Sequence, residues 1–180
     1  SAADASPATS AAVDFGNEIQ PILSRHGCNS GGCHGKASGQ NGFKLSLFGF
    51  DNAFDYEAIV KSARGRRISQ SAPENSLLLV KATGQVPHGG GQRLEPDSEG
   101  YQILKKWIAF GAPASAPNAP KVVKLHMQPQ QTIFKDGQTQ QLTVTAEYSN
   151  GEKRDITKQA SFQSNLDVVA AVDEEGLVRV

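Results

Sequence analysis

The sequence predicts a protein of two parts, a mainly helical first part and an all-β second part that is incomplete. Hydrophobic residues recur at helical spacing near both ends of residues 13–113. A segment rich in proline and alanine follows at residues 114–121 and is typical of a linker. From residue 122 to residue 180, apolar and polar residues alternate in short runs, as they do in β-strands.

The composition argues against several classes of function. With 38% hydrophobic and 20% charged residues, the 180-residue chain matches an ordinary globular protein of one large or two small domains. Basic and acidic residues number 18 each, and a net charge of zero argues against nucleic acid or an anionic membrane as the main partner. No apolar run approaches the roughly 20 residues of a membrane-spanning helix.

We expect different features at the two ends of the chain. Residues 1–12 are small, polar and of low complexity, so we expect a disordered tail there, without the charged start or apolar centre of a signal peptide. The last residues, DEEGLVRV, end within a predicted strand. About 60 residues follow the linker, against roughly 100 in a typical β-sandwich domain, so we expect a piece of a longer protein.

Two helices are predicted to frame the first part. The first is interrupted by Pro21, which kinks it or restarts a turn. The last begins at a cap at Asp97 or Ser98 and stops at Gly111. Their apolar faces consist of Phe15, Ile19, Ile22 and Leu23, and of Tyr101, Leu104, Trp107 and Ile108.

Mostly irregular chain is expected between these helices. Residues 27–42 are rich in glycine and polar residues and are predicted to form a long loop. A short helix begins at a cap at Asn75 or Ser76 and continues through Leu79.

Several short strands separated by turns predict a β-sandwich for the second part. In QLTVTAEYS, four residues alternate inward: Leu142, Val144, Ala146 and Tyr148. Asn150 and Gly151 are expected to supply the positive φ angles of a hairpin turn. Further strands are predicted at VVKLHM, ASFQS and VVAAVD.

The string GCNSGGCHG, residues 27–35, contains both cysteines of the chain and one of its four histidines. A disulfide between Cys28 and Cys33 would close a loop too small to staple a domain of this size. A zinc site would need four ligands: Cys28, Cys33, His34 and either His26 or His88. Adjacent ligands seldom reach one tetrahedral ion without strain, and the chain has no second pair of cysteines.

Covalent haem attachment is the third interpretation, and it explains the order of the residues. Two thiols add to the two vinyl groups on one edge of the porphyrin, and the next residue presents an imidazole nitrogen to the iron. The common spacing is C-x-x-C-H, whereas this chain has C-x-x-x-x-C-H. The longer spacer must bulge outward, and its residues suit a bulge: Asn29, Ser30, Gly31 and Gly32.

The wider sequence resembles two known families. Residues Phe15 to Pro113 resemble the planctomycete-type cytochrome c domains at the head of large exported proteins, in the branch with the longer haem spacer. The resemblance is carried by FGNEIQPILSRHGCNSGGCHGKASGQNGFKLSLFGFD, SAPENSLLLVKATGQVPHGGG and YQILKKWIAFGAP. The second part resembles a bacterial Ig-like domain in VVKLHMQPQQTIFKDGQTQQLTVTAEYSNGEKRDIT and NLDVVAAVDEEGLV.

The first resemblance implies one haem c bound covalently through Cys28 and Cys33, with His34 as the proximal iron ligand. In the family the loop before the last helix often reads Met-Pro-Pro and carries the opposite ligand, whereas here QVPHGGGQRL offers His88. Met127 lies beyond the linker and is predicted to be a packing residue. The resemblance therefore implies bis-histidine ligation. It also implies that the first and last helices cross, which would place Trp107 against the first helix.

A haem also needs apolar walls and partners for its propionates. The candidates for the walls are Phe43, Leu45, Leu47, Phe48 and Phe50, each of which has ordinary core packing as an alternative. The candidates for the propionates are Arg64, Arg66 and Arg67, with a solvated basic loop or a docking patch for an acidic redox partner as alternatives. We assign Phe48 and Arg66 to haem binding.

Together these features predict an electron-transfer module rather than an enzyme, because a six-coordinate haem has no open site for a substrate. Its partner would be a redox protein, and the Ig-like part would be a spacer or adhesion module. A haem sensor or peroxidase-like module with an open sixth site, and a zinc-stapled adhesion module, are the alternatives. Since covalent haem attachment occurs outside the cytoplasm, the resemblance implies an exported protein on the periplasmic or cell-surface side, continued by downstream domains.

Overall fold

A computed structural model describes residues 13–135 and 137–180, so the predicted N-terminal tail lies outside the described residues. Within them, the α-helices end at Ala109 and the first strand begins at Val122. The coarse prediction, a helical part followed by a part built of strands, is therefore confirmed. The boundaries of the two predicted domains stay predictions.

The helices of the first part are short. They are a π-helical turn at Phe15–Ile19 followed by α1 (Gln20–Arg25), α2 (Asn52–Tyr56) followed by a π-helical turn at Glu57–Lys61, α3 (Leu77–Ala82) and α4 (Glu99–Ala109). Pro21 lies in the first turn of α1, where its missing N–H needs no partner. Of the helices in the described ranges, none combines the length and the apolar character needed to cross a membrane.

Helix α2 was not predicted, and it anchors the loop that follows the cysteines. The Asp51 carboxylate caps it by accepting from the backbone N–H of Phe54. Asp55 is fully buried and accepts hydrogen bonds from Gln20 Nε2 and Ser46 Oγ, both at 2.7 Å. This buried carboxylate ties α1, α2 and the intervening loop together, because its bonds can be satisfied only while all three are in place.

The core of the first part forms where the π-helical turn at Phe15–Ile19 meets α4. The side chain of Trp107 is fully buried, its ring centroid lies 5.7 Å from that of Phe15, and its Nε1 donates to the carbonyl of Pro113 at 2.8 Å. The predicted packing of Trp107 against the first helix is confirmed. Both predicted apolar faces are buried, and Ser98 caps α4 by accepting from the N–H of Tyr101.

The second part contains two small antiparallel sheets. Its strands are β1 (Val122–Gln128), β2 (Thr139–Gln141), β3 (Thr143–Tyr148), β4 (Lys153–Asp155), β5 (Ala171–Val172) and β6 (Leu177–Arg179). The strand orders are β1-β3-β4 and β2-β6-β5. On β3, Val144, Ala146 and Tyr148 are buried as predicted, whereas Leu142 precedes the strand and is half-buried.

Three local predictions for the second part were wrong. At the β3–β4 turn only Gly151 has a positive φ, of 82°, and Asn150 does not. The stretch ASFQS contains no strand, and VVAAVD contributes only Ala171–Val172. Runs this short gain their conformation from the neighbouring strand, so their own pattern does not decide it.

The linker segment packs along the start of the chain rather than standing apart from it. Ser115 Oγ accepts from the N–H of Gly16 at 2.8 Å and donates to Asp14 at 3.0 Å. Nearby, Asn17 Nδ2 donates to the carbonyl of Pro120 at 2.9 Å. These bonds hold the connection between the two parts against the first helical turn.

Candidate cofactor site

The predicted chemistry-bearing residues converge on one cavity of about 390 Å³, within the range of cofactor pockets. Both cysteines, His34 and His88 line it, although His88 is 54 residues from His34 in the sequence. Its apolar walls are Leu23, Phe43, Leu45, Leu77, Leu78 and Ala82. Loops on one side and α3 on the other therefore build a pocket around two thiols and two imidazoles.

The loop between the cysteines is closed by backbone hydrogen bonds. The N–H of Cys33 donates to Ser30 O and the N–H of His34 donates to Cys28 O, both at 3.0 Å. Gly31 and Gly32 are exposed, as expected of a bulge, but Asn29 is fully buried and accepts from the N–H of Phe48. The expectation that Asn29 bulges outward was wrong, because its side chain also donates to Ser24 Oγ at 2.8 Å.

The two cysteines are free thiols and are not joined by a disulfide. Burial raises the pKa of Cys28 to about 11, with a smaller contribution from Cys33. Cys33 accepts a weak hydrogen bond from Arg93 Nη2 at 3.6 Å. Both cysteines line the cavity, so a ligand there would lie beside them.

We expect Cys28 to react slowly with iodoacetamide in the chain without a cofactor. With its pKa at about 11, only about a thousandth of the thiol is ionised at pH 8, and thiolate is the reactive form. Its alkylation in a Cys33→Ser variant should be at least about ten times slower than in the unfolded chain, because the greater nucleophilicity of a more basic thiolate offsets only part of the lower ionisation. The rate should rise about tenfold per pH unit from pH 8 to pH 10. Equal rates for the folded and unfolded chains would contradict the burial.

His34 is held in one orientation by its neighbour Phe43. Its Nδ1 donates to the carbonyl of Phe43 at 3.0 Å, and the two ring centroids lie 4.4 Å apart. Burial lowers the pKa of His34, as do the nearby His88 and Arg67 to a lesser degree. The imidazole therefore stays neutral with its proton on Nδ1, and Nε2 keeps the lone pair that binds a metal ion.

His88 shows the same arrangement. Its Nδ1 donates to the carbonyl of Gly91 at 2.8 Å, which again leaves Nε2 with the lone pair. A side chain at Gly90 would crowd the ring, because a Cβ atom there would lie 3.1 Å from Cε1 of His88. The glycines of this loop thus let the chain pass close beside the imidazole.

The two imidazoles lie close together at the cavity. Their ring centroids are 6.2 Å apart and their planes differ by 11°. Each ring keeps Nε2 free, and an imidazole binds a metal ion through the lone pair of such a nitrogen. A backbone carbonyl on the other nitrogen of each ring is also the usual companion of a metal-ligating histidine.

The cavity wall is positively charged. Four cationic residues line it, namely Arg66, Arg67, Lys81 and Arg93, and none of the described lining residues is acidic. Such a wall favours an anionic ligand, and the propionates of a haem supply two negative charges. Apolar walls, two thiols, two neighbouring imidazoles and this charge are features that a covalently bound haem requires, so the residues present fit that group.

A zinc ion fits the described residues less well. No group of three or more histidine, cysteine, aspartate or glutamate side chains within residues 13–135 and 137–180 is arranged to hold a metal ion. His26 does not line the cavity. A structural zinc ion needs four protein ligands, whereas the porphyrin supplies four nitrogens itself and leaves only two positions for the protein.

Several candidate residues lie outside the cavity. Phe48 does not line it and is 69% exposed, so the assignment of Phe48 to haem binding was wrong. The backbone at Phe48 adopts a left-handed turn with a φ of 53°, which directs the ring to solvent. Leu47 and Phe50 are likewise exposed and Arg64 does not line the wall, whereas Phe43, Leu45 and Arg66 lie where they were predicted.

Met127 and His126 belong to β1, away from the cavity. Met127 is 47% exposed and is not buried in a core, so its role as a packing residue stays a prediction. His126 is half-buried and its Nε2 lies 3.1 Å from Glu147 of the neighbouring strand.

Sequence reasoning missed two cationic residues of the cavity wall, Lys81 and Arg93, and four apolar ones, Leu23, Leu77, Leu78 and Ala82. Arg93 lies five residues after His88 in the same loop. Because that loop was already predicted to carry an iron ligand, Arg93 could have been recognised as a residue close to the site. Lys81 follows the wall residues Leu77 and Leu78 by one helical turn, but only the docking of α3 on the cavity shows its role.

In comparisons with known proteins, no protein-family profile matches this chain, and no curated protein matches it either.

Proposed function

We propose that this chain is an electron-transfer module that carries one haem, bound covalently through Cys28 and Cys33, with His34 and His88 as the iron ligands. The observation that carries the proposal is the pair of imidazoles. Each has its Nδ1 on a backbone carbonyl, and both line the cavity that contains the two thiols. On this basis the first part is a cytochrome c-like domain and the second part an Ig-like domain that positions it.

The chain's residues would attach the haem by an addition that needs no oxidant. Cys28 and Cys33 would hold the haem through thioether bonds, each made by adding the thiol S–H across a vinyl group, with the sulfur on one carbon and the hydrogen on the other. The bound haem supplies one-electron oxidation and reduction. His34 and His88 would hold the iron, the apolar wall would exclude water, and Arg66, Lys81 and Arg93 would pair with the propionates.

Electron exchange with a redox partner protein follows from this arrangement, because two protein ligands leave no open position for a substrate. Covalent haem attachment takes place outside the cytoplasm. We therefore propose an exported protein, on the periplasmic or cell-surface side, and a larger chain of which this module is one part.

The test is the mass of the full chain produced in a host with cytochrome c assembly machinery. We expect the intact mass to exceed that of the polypeptide by one haem, and the colour to survive denaturation and acid-acetone extraction. The control is the Cys28→Ala, Cys33→Ala double variant, which should show only the polypeptide mass and lose its colour on extraction. The bare polypeptide mass for the unaltered chain would refute the proposal.

A further inference from the structure

Arg67 is a buried cation whose contacts all go to backbone carbonyls and to one ring. Its side chain is among the few charged groups of the core, with a relative exposure of 4%. Nη1 donates to Ala58 O at 2.9 Å and to Ser62 O at 3.1 Å, and Nη2 donates to Gly42 O at 3.0 Å. No carboxylate within the described residues forms an ion pair with it.

The guanidinium group joins two segments that meet beside the proximal histidine. Ala58 and Ser62 belong to the π-helical turn after α2 and the turn that follows it, whereas Gly42 precedes Phe43 in the loop after the cysteines. The guanidinium carbon also lies 4.4 Å from the centroid of the Phe43 ring. Arg67 therefore fixes both the backbone before Phe43 and the face of its ring.

Phe43 in turn holds His34 in two ways. Its carbonyl oxygen accepts the Nδ1 proton of His34 at 3.0 Å, and its ring lies 4.4 Å from the imidazole ring. A movement of Phe43 would therefore rotate the imidazole and weaken the bond that keeps the proton on Nδ1. Only an arginine can supply this support, since a lysine ammonium cannot span three carbonyls and stack on an aromatic face.

We infer that Arg67 is a positioning residue for the iron ligand His34, acting through Phe43 on the tautomer and orientation of the imidazole. The expected effect on the reduction potential rests on the proposed function. The effect on the His34 tautomer concerns the polypeptide alone and does not need a haem. A strong Nδ1–H···O bond makes an imidazole a better electron donor to iron and so favours the oxidised state. Loss of the bond should therefore raise the reduction potential.

The first measurement uses the full chain without haem. Imidazole ¹⁵N NMR of the unaltered chain should show His34 with its proton on Nδ1. In Arg67→Lys, which keeps the charge and removes the forked geometry, the tautomer with the proton on Nε2 should become detectable. The matched control is Arg64→Lys, at an exposed position outside the cavity wall, which should leave the His34 signals unchanged.

The second measurement is the midpoint potential of the haem-loaded chain. Arg67→Lys should raise the potential although the formal charge is unchanged, and Arg64→Lys should not shift it. If Arg67→Lys fails to fold by circular dichroism, Phe43→Leu replaces it in the NMR measurement without haem, because this variant keeps the accepting carbonyl and loses the ring contacts. A detectable His34 tautomer with the proton on Nε2 in Phe43→Leu supports the inference, and an unchanged tautomer overturns it.

The two proposals fail in different ways. An unchanged His34 tautomer in a folded Arg67→Lys chain overturns the inference, and so does an unchanged potential in the haem-loaded variant. If the chain never attaches haem, the proposed function fails, while the tautomer measurement still decides whether Arg67 positions His34.

Discussion

Replacing His88 by alanine is expected to convert the haem-loaded chain from a low-spin to a high-spin form in both oxidation states. In the structure His88 and His34 both line the cavity with ring centroids 6.2 Å apart, and no other histidine or methionine lines it among the described residues. Removal of the imidazole would therefore leave one axial position without a protein ligand. The absorption spectra of the oxidised and reduced protein measure the change.

Carbon monoxide gives the same experiment a second readout. The reduced unaltered chain should bind no carbon monoxide at neutral pH, because both axial positions are taken. The reduced His88→Ala chain should bind it rapidly, and added free imidazole should restore the low-spin spectrum by entering the vacated position.

The control for this prediction is His126→Ala. His126 lies on β1 next to Glu147, away from the cavity, so its removal should leave the spectrum and the lack of carbon monoxide binding unchanged. A His88→Ala protein that keeps an unchanged low-spin spectrum would show that His88 is not the ligand. Rapid carbon monoxide binding by the unaltered chain would instead favour a sensor or peroxidase-like module.

Replacing Trp107 by alanine is expected to cost about 3–5 kcal/mol of folding free energy, the usual range for a large aromatic residue in a core. Trp107 is completely buried, contacts Phe15 across the helix crossing, and donates its indole N–H to Pro113. The substitution removes the contact between α4 and the first helix and leaves the carbonyl of Pro113 without its donor. Single domains have total stabilities of about 5–15 kcal/mol, so the effect is large.

Urea denaturation of the full chain without haem measures this loss as a lower midpoint at a similar slope. The control is Phe110→Ala at the end of α4, since this ring is 71% exposed and its removal should change the stability by less than about 0.5 kcal/mol. Equal losses for the two variants would mean that the helix crossing does not form the core of the first part.

The features that could be predicted from the sequence are those that residues close together in the chain determine. The apolar faces of the first and last helices and the burial of Val144, Ala146 and Tyr148 on β3 were predicted from spacing, and Ser98 was one of the two predicted caps of α4. Spacing suffices there because a helix or a strand sets the direction of neighbouring side chains by its own period.

Within the site, the string around Cys28, Cys33 and His34 was also readable from the sequence, since backbone hydrogen bonds inside one loop close it. His88 was selected because its loop corresponds to the ligand loop of the family that the sequence resembles. The sequence could not predict that Nδ1 of both imidazoles donates a hydrogen bond to a backbone carbonyl, which the structure shows.

Only the tertiary structure decided which distant residues meet at the cavity and which turn away from it. It brought Arg93 and Lys81 to the wall, placed Arg67 on Phe43, and directed Phe48 to solvent. The physical reason is that local patterns fix which way a side chain points relative to its own helix or loop. The docking of those segments on a shared core decides which side chains from separate segments come within bonding distance.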